Sequence, residues 1–196
     1  TTKPIETSFL TVITQSSAEA AIAIGSVSTL TAGNLYSISS LSDLNKLASL
    51  VNSGQASNCT FILTGDIDMA NSPGYIPIGT DEHKFMGTFY GNGHVISNVS
   101  ISQSGTSGVG IFGVTGNTAR ILDLGVENAT VSGKDYTGVI VGNSAGTITN
   151  CYVKGNVNVN GNSYVGAITG QATNTIASSY TSGNININGS FNLFKR

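Results

Sequence analysis

Apolar and polar residues alternate strictly through Asn156-Val157-Asn158-Val159-Asn160, and again through Asn184-Ile185-Asn186-Ile187-Asn188. Period-two alternation over about five residues marks a β-strand with one buried face. Val and Ile are β-branched and fit a pleated surface. The other apolar runs nearby are too short and too often broken by Gly, Asn and Ser to be helices. The two alternating runs lie 28 residues apart, and so do their surroundings. Gly133, Gly161 and Gly189 keep that interval, as do Asn128, Asn156 and Asn184, and the apolar trio Val131, Val159 and Ile187. Repetition at a fixed period implies one structural unit stacked on copies of itself.

Three units can be written out, over residues 107–133, 134–161 and 162–190. In the first, Gly110-Ile111-Phe112-Gly113 is one residue shorter than Gly138-Val139-Ile140-Val141-Gly142 in the second, so Ile121 to Ile148 is 27 residues and Ile148 to Ile176 is 28. Like units usually stack in parallel. A coil of three short strands and three turns accommodates about 20–30 residues, with successive rungs ~4.8 Å apart. The pattern therefore predicts an all-β parallel solenoid (β-helix) with rungs of about 28 residues. Val131, Val159 and Ile187 are expected to superpose inside it, each contributing roughly 1.5–3 kcal/mol by burial. Asn128, Asn156 and Asn184 are expected to superpose at a turn or on the outer face, and the recurrent glycines to supply positive φ at corners.

Upstream of the repeat the periodicity changes. Leu41, Leu44, Leu47 and Val51 form one apolar stripe, which predicts a helix over residues 39–54. Ser40 followed by Asp43 resembles a capping box, and Asn52-Ser53-Gly54 is a C-terminal stop. This short helix is expected to cap the open N-terminal end of the coil, which would otherwise expose unpaired backbone. Residues 59–69 read as a strand, 75–80 as a turn or short extended piece, and Gly91-Asn92-Gly93 as a tight turn between two alternating runs. Residues 7–14 can be a strand, and residues 16–24 have helical propensity but run into Gly25. The domain reading is an N-terminal arm or linker over 1–36, the capping helix and first rungs over 37–106, and the repeat rungs over 107–196. The arm offers a route to self-association.

Composition narrows the function classes. Only 9% of the 196 residues are charged, against about 25% in an average soluble domain, and 25 glycines with abundant Asn, Ser and Thr take their place. That suits an exported solenoid better than a cytosolic enzyme. The net charge is −2 with both signs scattered, so there is no electrostatic case for nucleic acid. No apolar run approaches the roughly 18–20 residues that span a membrane as a helix. Two cysteines do not make a disulfide framework. Cys151 stands where neighbouring units have Leu124 and Ser179, and reads as a small buried hydrophobe.

Candidate chemistry is sparse. Asp66 and Asp68 form a D-x-D whose carboxylates could converge on one face of a strand as a calcium or sugar contact. The competing reading is a polar outer face with Ile67 and Met69 inward. His83 and His94 have neither an H-E-x-x-H nor a C-x-x-C companion, so no zinc set is expected. The charges are isolated, and no cofactor motif occurs. Tyr136 and Tyr164 repeat at 28 residues, either as a row for stacking sugar rings or as rung-edge tyrosines with wet hydroxyls. Together with Asn128, Asn156 and Asn184 they are the candidate ligand-binding residues.

"LTGDIDM" at 63–69, "PIGT" at 77–80 and "FMGTFYGNGHVISNVSI" at 85–101 precede "GIFG" at 110–113 and the glycine-rich starts at 138–142 and 166–170. In this order the segments resemble the GLUG-motif repeat family of bacterial cell-surface and secreted proteins. The resemblance implies a right-handed parallel β-helix in an exported, adhesin-like protein; some members are described as IgA-specific or other peptidases. The chain lacks the usual Gly-Gly at Thr137-Gly138 and Val165-Gly166, and "FNLFKR" breaks the repeat where another start is due, as in a piece of a longer protein. Residues 14–22 resemble a helical segment of flagellins. The expected function is a non-enzymatic extracellular surface module that binds a host or cell-surface glycan or protein. The alternatives are an accessory or substrate-recognition region of a secreted peptidase or polysaccharide-degrading enzyme, and a filament subunit.

Overall fold

A computed structural model describes residues 20–55, 58–70, 72 and 74–190 of the chain. The strand expected over 7–14, most of the flagellin-like segment and the terminal "FNLFKR" lie outside them. The elements begin with β1 (Ile22–Ala23), a 3-10 turn, β2 (Leu35–Ile38), α1 (Leu41–Asn52), β3 (Thr60–Leu63), β4 (Ile67–Asp68), β5 (Thr88–Tyr90) and β6 (Val95–Ser102). They continue with β7 (Phe112–Thr115), β8 (Arg120–Leu122), β9 (Gly125–Ser132), β10 (Asp135–Gly138) and β11 (Val141–Ser144). The last rungs hold β12 (Thr147–Thr149), β13 (Tyr152–Asn160), β14 (Ser163–Gly166), β15 (Thr169–Ala172), β16 (Ile176–Ala177) and β17 (Tyr180–Asn188).

All of the strand pairs are parallel. The strands wind as a β-solenoid of about five turns around one apolar core. Four sheets run along it. The seven-stranded sheet is β1-β2-β3-β5-β8-β12-β16, and the five-stranded sheet is β17-β13-β9-β6-β4. A three-stranded sheet (β15-β11-β7) and the pair β10-β14 complete the wall. The predicted column is present: Val131 pairs with Val159 and Val159 with Ile187, and Ile101 joins on the near side. Val131 and Val159 are fully buried, while Ile187 in the last rung is only partly so.

Corners are set by columns of left-handed residues. Asp123, Asn150 and Ser178, with φ of 53°, 55° and 49°, end the short strands β8, β12 and β16. A second column bends the long strands at Asn98 (54°), Asn128 (56°), Gly155 (91°) and Gly183 (105°). A third holds Gly108 (74°), Tyr136 (55°) and Tyr164 (54°). Asn and Asp tolerate this region because their short polar side chains bond locally; Tyr and Ser occupy it because the stacked rungs impose it. Gly133 and Gly161, expected to supply positive φ, do not. They are glycines because a Cβ would stand 2.5 Å and 2.9 Å, respectively, from Thr137 Oγ1.

Two local expectations change. The single strand over 59–69 is two strands, β3 and β4, in different sheets, because Thr64-Gly65-Asp66 turns the chain through a corner. Within the described part of the segment ending at Gly25, Ile22–Ala23 pair as β1 against β2, and the 3-10 turn Ile24–Ser26 follows. Part of the 1–36 segment thus belongs to the seven-stranded sheet.

α1 lies between β2 and β3, where later rungs carry their long strands. Ser40 Oγ accepts from the Asp43 N–H at 3.2 Å. The Asp43 carboxylate accepts from the N–H of Ser39 at 2.8 Å, so the reciprocal bond closes one residue early. Leu44, Leu47, Ala48, Leu50 and Val51 enter the core. Asn52 clamps the helix to the next rung, donating to Pro77 O at 3.0 Å and accepting from the Gly79 N–H at 2.8 Å.

Candidate functional site

The long strands β6, β9, β13 and β17 present the most regular outer surface. Beyond the bend, Ser100, Thr130, Asn158 and Asn186 form one outward column, and Ser102, Ser132, Asn160 and Asn188 a second. The amides link along the columns: Asn188 Nδ2 donates to Asn160 Oδ1 at 2.9 Å, Asn186 Nδ2 to Asn158 Oδ1 at 3.4 Å, and Asn160 Nδ2 to Ser132 Oγ at 3.4 Å. Asn160, Asn186 and Asn188 each spend one donor on the neighbouring rung, which orders the array and leaves further donor and acceptor capacity facing outward. Neutral, hydroxylated ligands match such a surface chemically.

The three asparagines singled out by spacing do not form one simple column. Asn156 pairs with Asn184, and both are exposed. Asn128 sits opposite a bulge in which Gly155 and Asn156 together face it, since the register shifts between Lys154 and Val157. Its Oδ1 accepts from the Asn156 backbone N–H at 3.0 Å. A Cβ at Gly155 would stand 2.4 Å from that same oxygen, so the bulge needs glycine there. Asn128 is a structural cap for the bulge as well as an exposed side chain.

Tyr136 and Tyr164 do meet, with ring centroids 4.9 Å apart and planes 17° from parallel. Both are half-buried, and each gives one ring face to the other. A second row, unmarked in the sequence reading, stacks Tyr152 on Tyr180 at 5.6 Å and 18° on the same face of the long sheet as the amide columns. Tyr152 lies over Gly125, whose Cβ would come 2.4 Å from the ring. Lys154 Nζ stands 5.3 Å from the Tyr152 centroid and 2.9 Å from Glu127 Oε1. The hydrogen bond to Glu127 raises the Lys154 pKa, and desolvation raises that of Tyr152. The 28-residue interval between Tyr152 and Tyr180 was available as a signal.

Asp66 and Asp68 both point outward while Ile67 and Met69 are buried. Their oxygens are engaged by different partners. Asp66 Oδ1 accepts from the Val95 N–H at 3.0 Å and meets His94 Nδ1 at 3.1 Å; Asp68 Oδ1 accepts from the Ala70 N–H at 2.9 Å and from Asn98 Nδ2 at 3.0 Å. These bonds, led by Val95 for Asp66 and by Asn98 for Asp68, hold both carboxyls below their usual range. The pair ties one rung to the next. Among the described residues, no group of three or more His, Cys, Asp and Glu could hold a metal ion. Cys151 is buried with its Sγ 3.3 Å from Thr149 O, and desolvation pushes its thiol up to about 11. Cys59 is buried in another rung, where its Sγ reaches Thr31 O at 3.3 Å.

Two concavities among the described residues bear on the site. One, of about 880 Å³, is an open trough at the C-terminal end, lined by β14 to β17. The other, of about 620 Å³, lies between α1 and Ser72, Gly74, Tyr75 and Ile76. Neither contains a histidine, cysteine or carboxylate among its lining residues. Among the described residues, no helix is long and apolar enough to cross a membrane.

No protein-family model matches the chain, so the GLUG likeness rests on its motifs. Two relatives are similar over part of it. Halomucin of Haloquadratum walsbyi is 38% identical over 138 residues, which is 65% of this chain and 2% of that protein. A candidate Gly-rich membrane protein of Evansella cellulosilytica is 32% identical over 102 residues, 48% of this chain and 12% of that protein. The chain therefore spans a small fraction of the length of either relative. Among solved structures, a candidate immunoglobulin A1 protease from Bacteroides ovatus superposes with a TM-score of 0.58 at 24% identity, covering 80% of this chain and 49% of that one. At that identity the likeness shows the solenoid fold.

Proposed function

We propose that this chain is a non-enzymatic extracellular surface module, an adhesin-like solenoid that displays the outer face of its long sheet to a cell-surface glycan or protein. The observation that carries the reading is the pair of in-register columns ending in Asn158-Asn186 and Asn160-Asn188. Repetition of one weak contact at each rung makes binding multivalent. The stacked, hydrogen-bonded rungs hold the contacts rigid, which lowers the entropic cost of engagement. The names of the two relatives, halomucin and a Gly-rich membrane protein, support a place at the cell surface. The accessory-region reading draws support from the name of the Bacteroides ovatus neighbour.

The test is retention of beads carrying the chain on an array of glycans and on intact cells. Retention is expected, with a drop of at least about tenfold for the Asn158→Lys/Asn186→Lys double variant and a smaller one for Tyr136→Ala or Tyr164→Ala. Absence of retention, joined to cleavage of a peptide or polysaccharide substrate by the purified chain, would sink the proposal in favour of an enzyme-linked role.

A further inference from the structure

We infer that Asn128 is a modification site, the acceptor of an N-linked oligosaccharide. Four Asn-x-Ser/Thr sequons occur in the chain, at Asn58, Asn98, Asn128 and Asn188. The motif marks an acceptor for N-linked sugar on the surface of an exported protein. Two groups decide whether the folded chain can carry the sugar: the amide nitrogen that bonds to it, and the hydroxyl two residues on, which the transferring enzyme reads.

Three of the four sequons have one of these groups committed. Asn98 Nδ2 donates to Asp68 Oδ1 at 3.0 Å, and Asn188 Nδ2 donates to Asn160 Oδ1 at 2.9 Å, so each spends an amide hydrogen on the neighbouring rung. Asn58 is followed by buried Cys59 and by half-buried Thr60, which opens β3. Asn128 differs on every count. Asn128 and Thr130 are both exposed, with Ala129 buried between them. They lie on β9, flanked by β6 and β13, in the interior of the five-stranded sheet. Asn128 stands at the left-handed bend (φ 56°) opposite the Gly155 bulge. Its Oδ1 accepts from the Asn156 N–H at 3.0 Å, while its Nδ2 has no partner among the described residues.

That division of labour fits the chemistry. The Asn128 amide nitrogen bonds to the anomeric carbon of a sugar activated as a lipid-linked diphosphate, in the site of an oligosaccharyltransferase. The bond from that carbon to the phosphate oxygen breaks, the lipid diphosphate leaves with the electron pair, and one Nδ2 proton passes to a base of the enzyme. The product amide keeps its carbonyl oxygen as an acceptor, so the bulge keeps its cap and no bond between rungs is given up. The sugar would stand beside the Ser100–Thr130–Asn158 column and limit access to it, so occupancy is read by mass, separately from ligand retention.

The test is export of the whole chain from a eukaryotic secretory host. Intact mass counts the sugars, and peptide mass after enzymatic release places them, because release leaves Asp where a modified Asn stood. Asn128 is expected to be occupied several-fold more often than Asn58, Asn98 or Asn188. Thr130→Val removes the hydroxyl and leaves the Asn128 cap in place; it is expected to abolish occupancy at Asn128 with unchanged circular dichroism, and Thr130→Ser to restore it. The modified chain should melt no lower than the Thr130→Val chain that lacks the sugar. An unmodified Asn128 would overturn the proposal. So would equal or higher occupancy at Asn98, modification that survives Thr130→Val, or a modified chain that melts below its sugar-free counterpart.

Discussion

Near the N-terminus the core is aromatic, with Tyr36 on Phe61 at 5.7 Å, Phe61 on Phe85 at 5.8 Å and Phe85 on Phe112 at 5.0 Å, whereas the later rungs are filled by columns of Val and Ile. Rung length accounts for the contrast. Rungs of equal length place like side chains over like, and columns of β-branched residues then fill the section. The early rungs differ in length: Tyr36 pairs with Phe61, Phe61 with Phe89, and Phe89 with Ile121, so no common pattern can superpose. Large rings and a helix fill the irregular volume instead. Among the described residues, one coil thus has an irregular, aromatic half and a repetitive, aliphatic half whose last described rung is only partly buried, and stability should fall from the first to the second.

The largest test of that gradient is Phe112→Ala. Phe112 is fully buried and touches both Phe85 and Phe89, so urea unfolding should register a loss of about 3–5 kcal/mol. Ile187→Ala, in the half-exposed last rung, should cost less than half as much; similar costs would erase the distinction between the halves. A sharper probe of the repetitive half is Gly142→Ala. Its Cβ would stand 2.3 Å from Val109 N and 2.6 Å from Tyr136 O, all backbone that cannot step aside, and a loss of about 1–3 kcal/mol is expected in thermal melts. Gly105→Ala, with nothing within 4 Å, should stay within about 0.5 kcal/mol and serves as the control. Apart from that control, the smallest effect is Ser40→Ala, which removes the cap from α1 and should cost about 1 kcal/mol. Hydrogen exchange should then quicken first in α1 and β2; quickening confined to β17 would break the link between helix and early rungs.

Legibility tracked the same divide. The column Val131, Val159, Ile187 was readable because burial on one face of a strand imposes period two, and stacking imposes the 28-residue interval. The helix was readable from Leu44, Leu47 and Val51. The bulge at Gly155 was not, because a spacing of 28 between Asn128 and Asn156 looks like simple superposition until the paired positions on either side are compared. The aromatic contacts among Phe61, Phe85, Phe89 and Phe112 were not, because their unequal separations give no period to detect. The Tyr152–Tyr180 row carried the right interval, but only the placement of Gly125 beneath Tyr152 shows why a ring fits there.

What the chain's own pattern determined is the architecture: alternating Val and Ile with Asn, repeated at one period, buries its apolar face when like units stack in parallel. What tertiary structure alone decided is where the wall turns and what each glycine does. Left-handed backbone at Asp123, Asn128 and Tyr136, and the sub-3 Å approaches of Val109 and Ala119 that exclude a Cβ at Gly142 and Gly146, are properties of one rung lying on another. No local run of residues encodes them, because the atoms that enforce them are about 28 residues away along the chain and one strand spacing away in space.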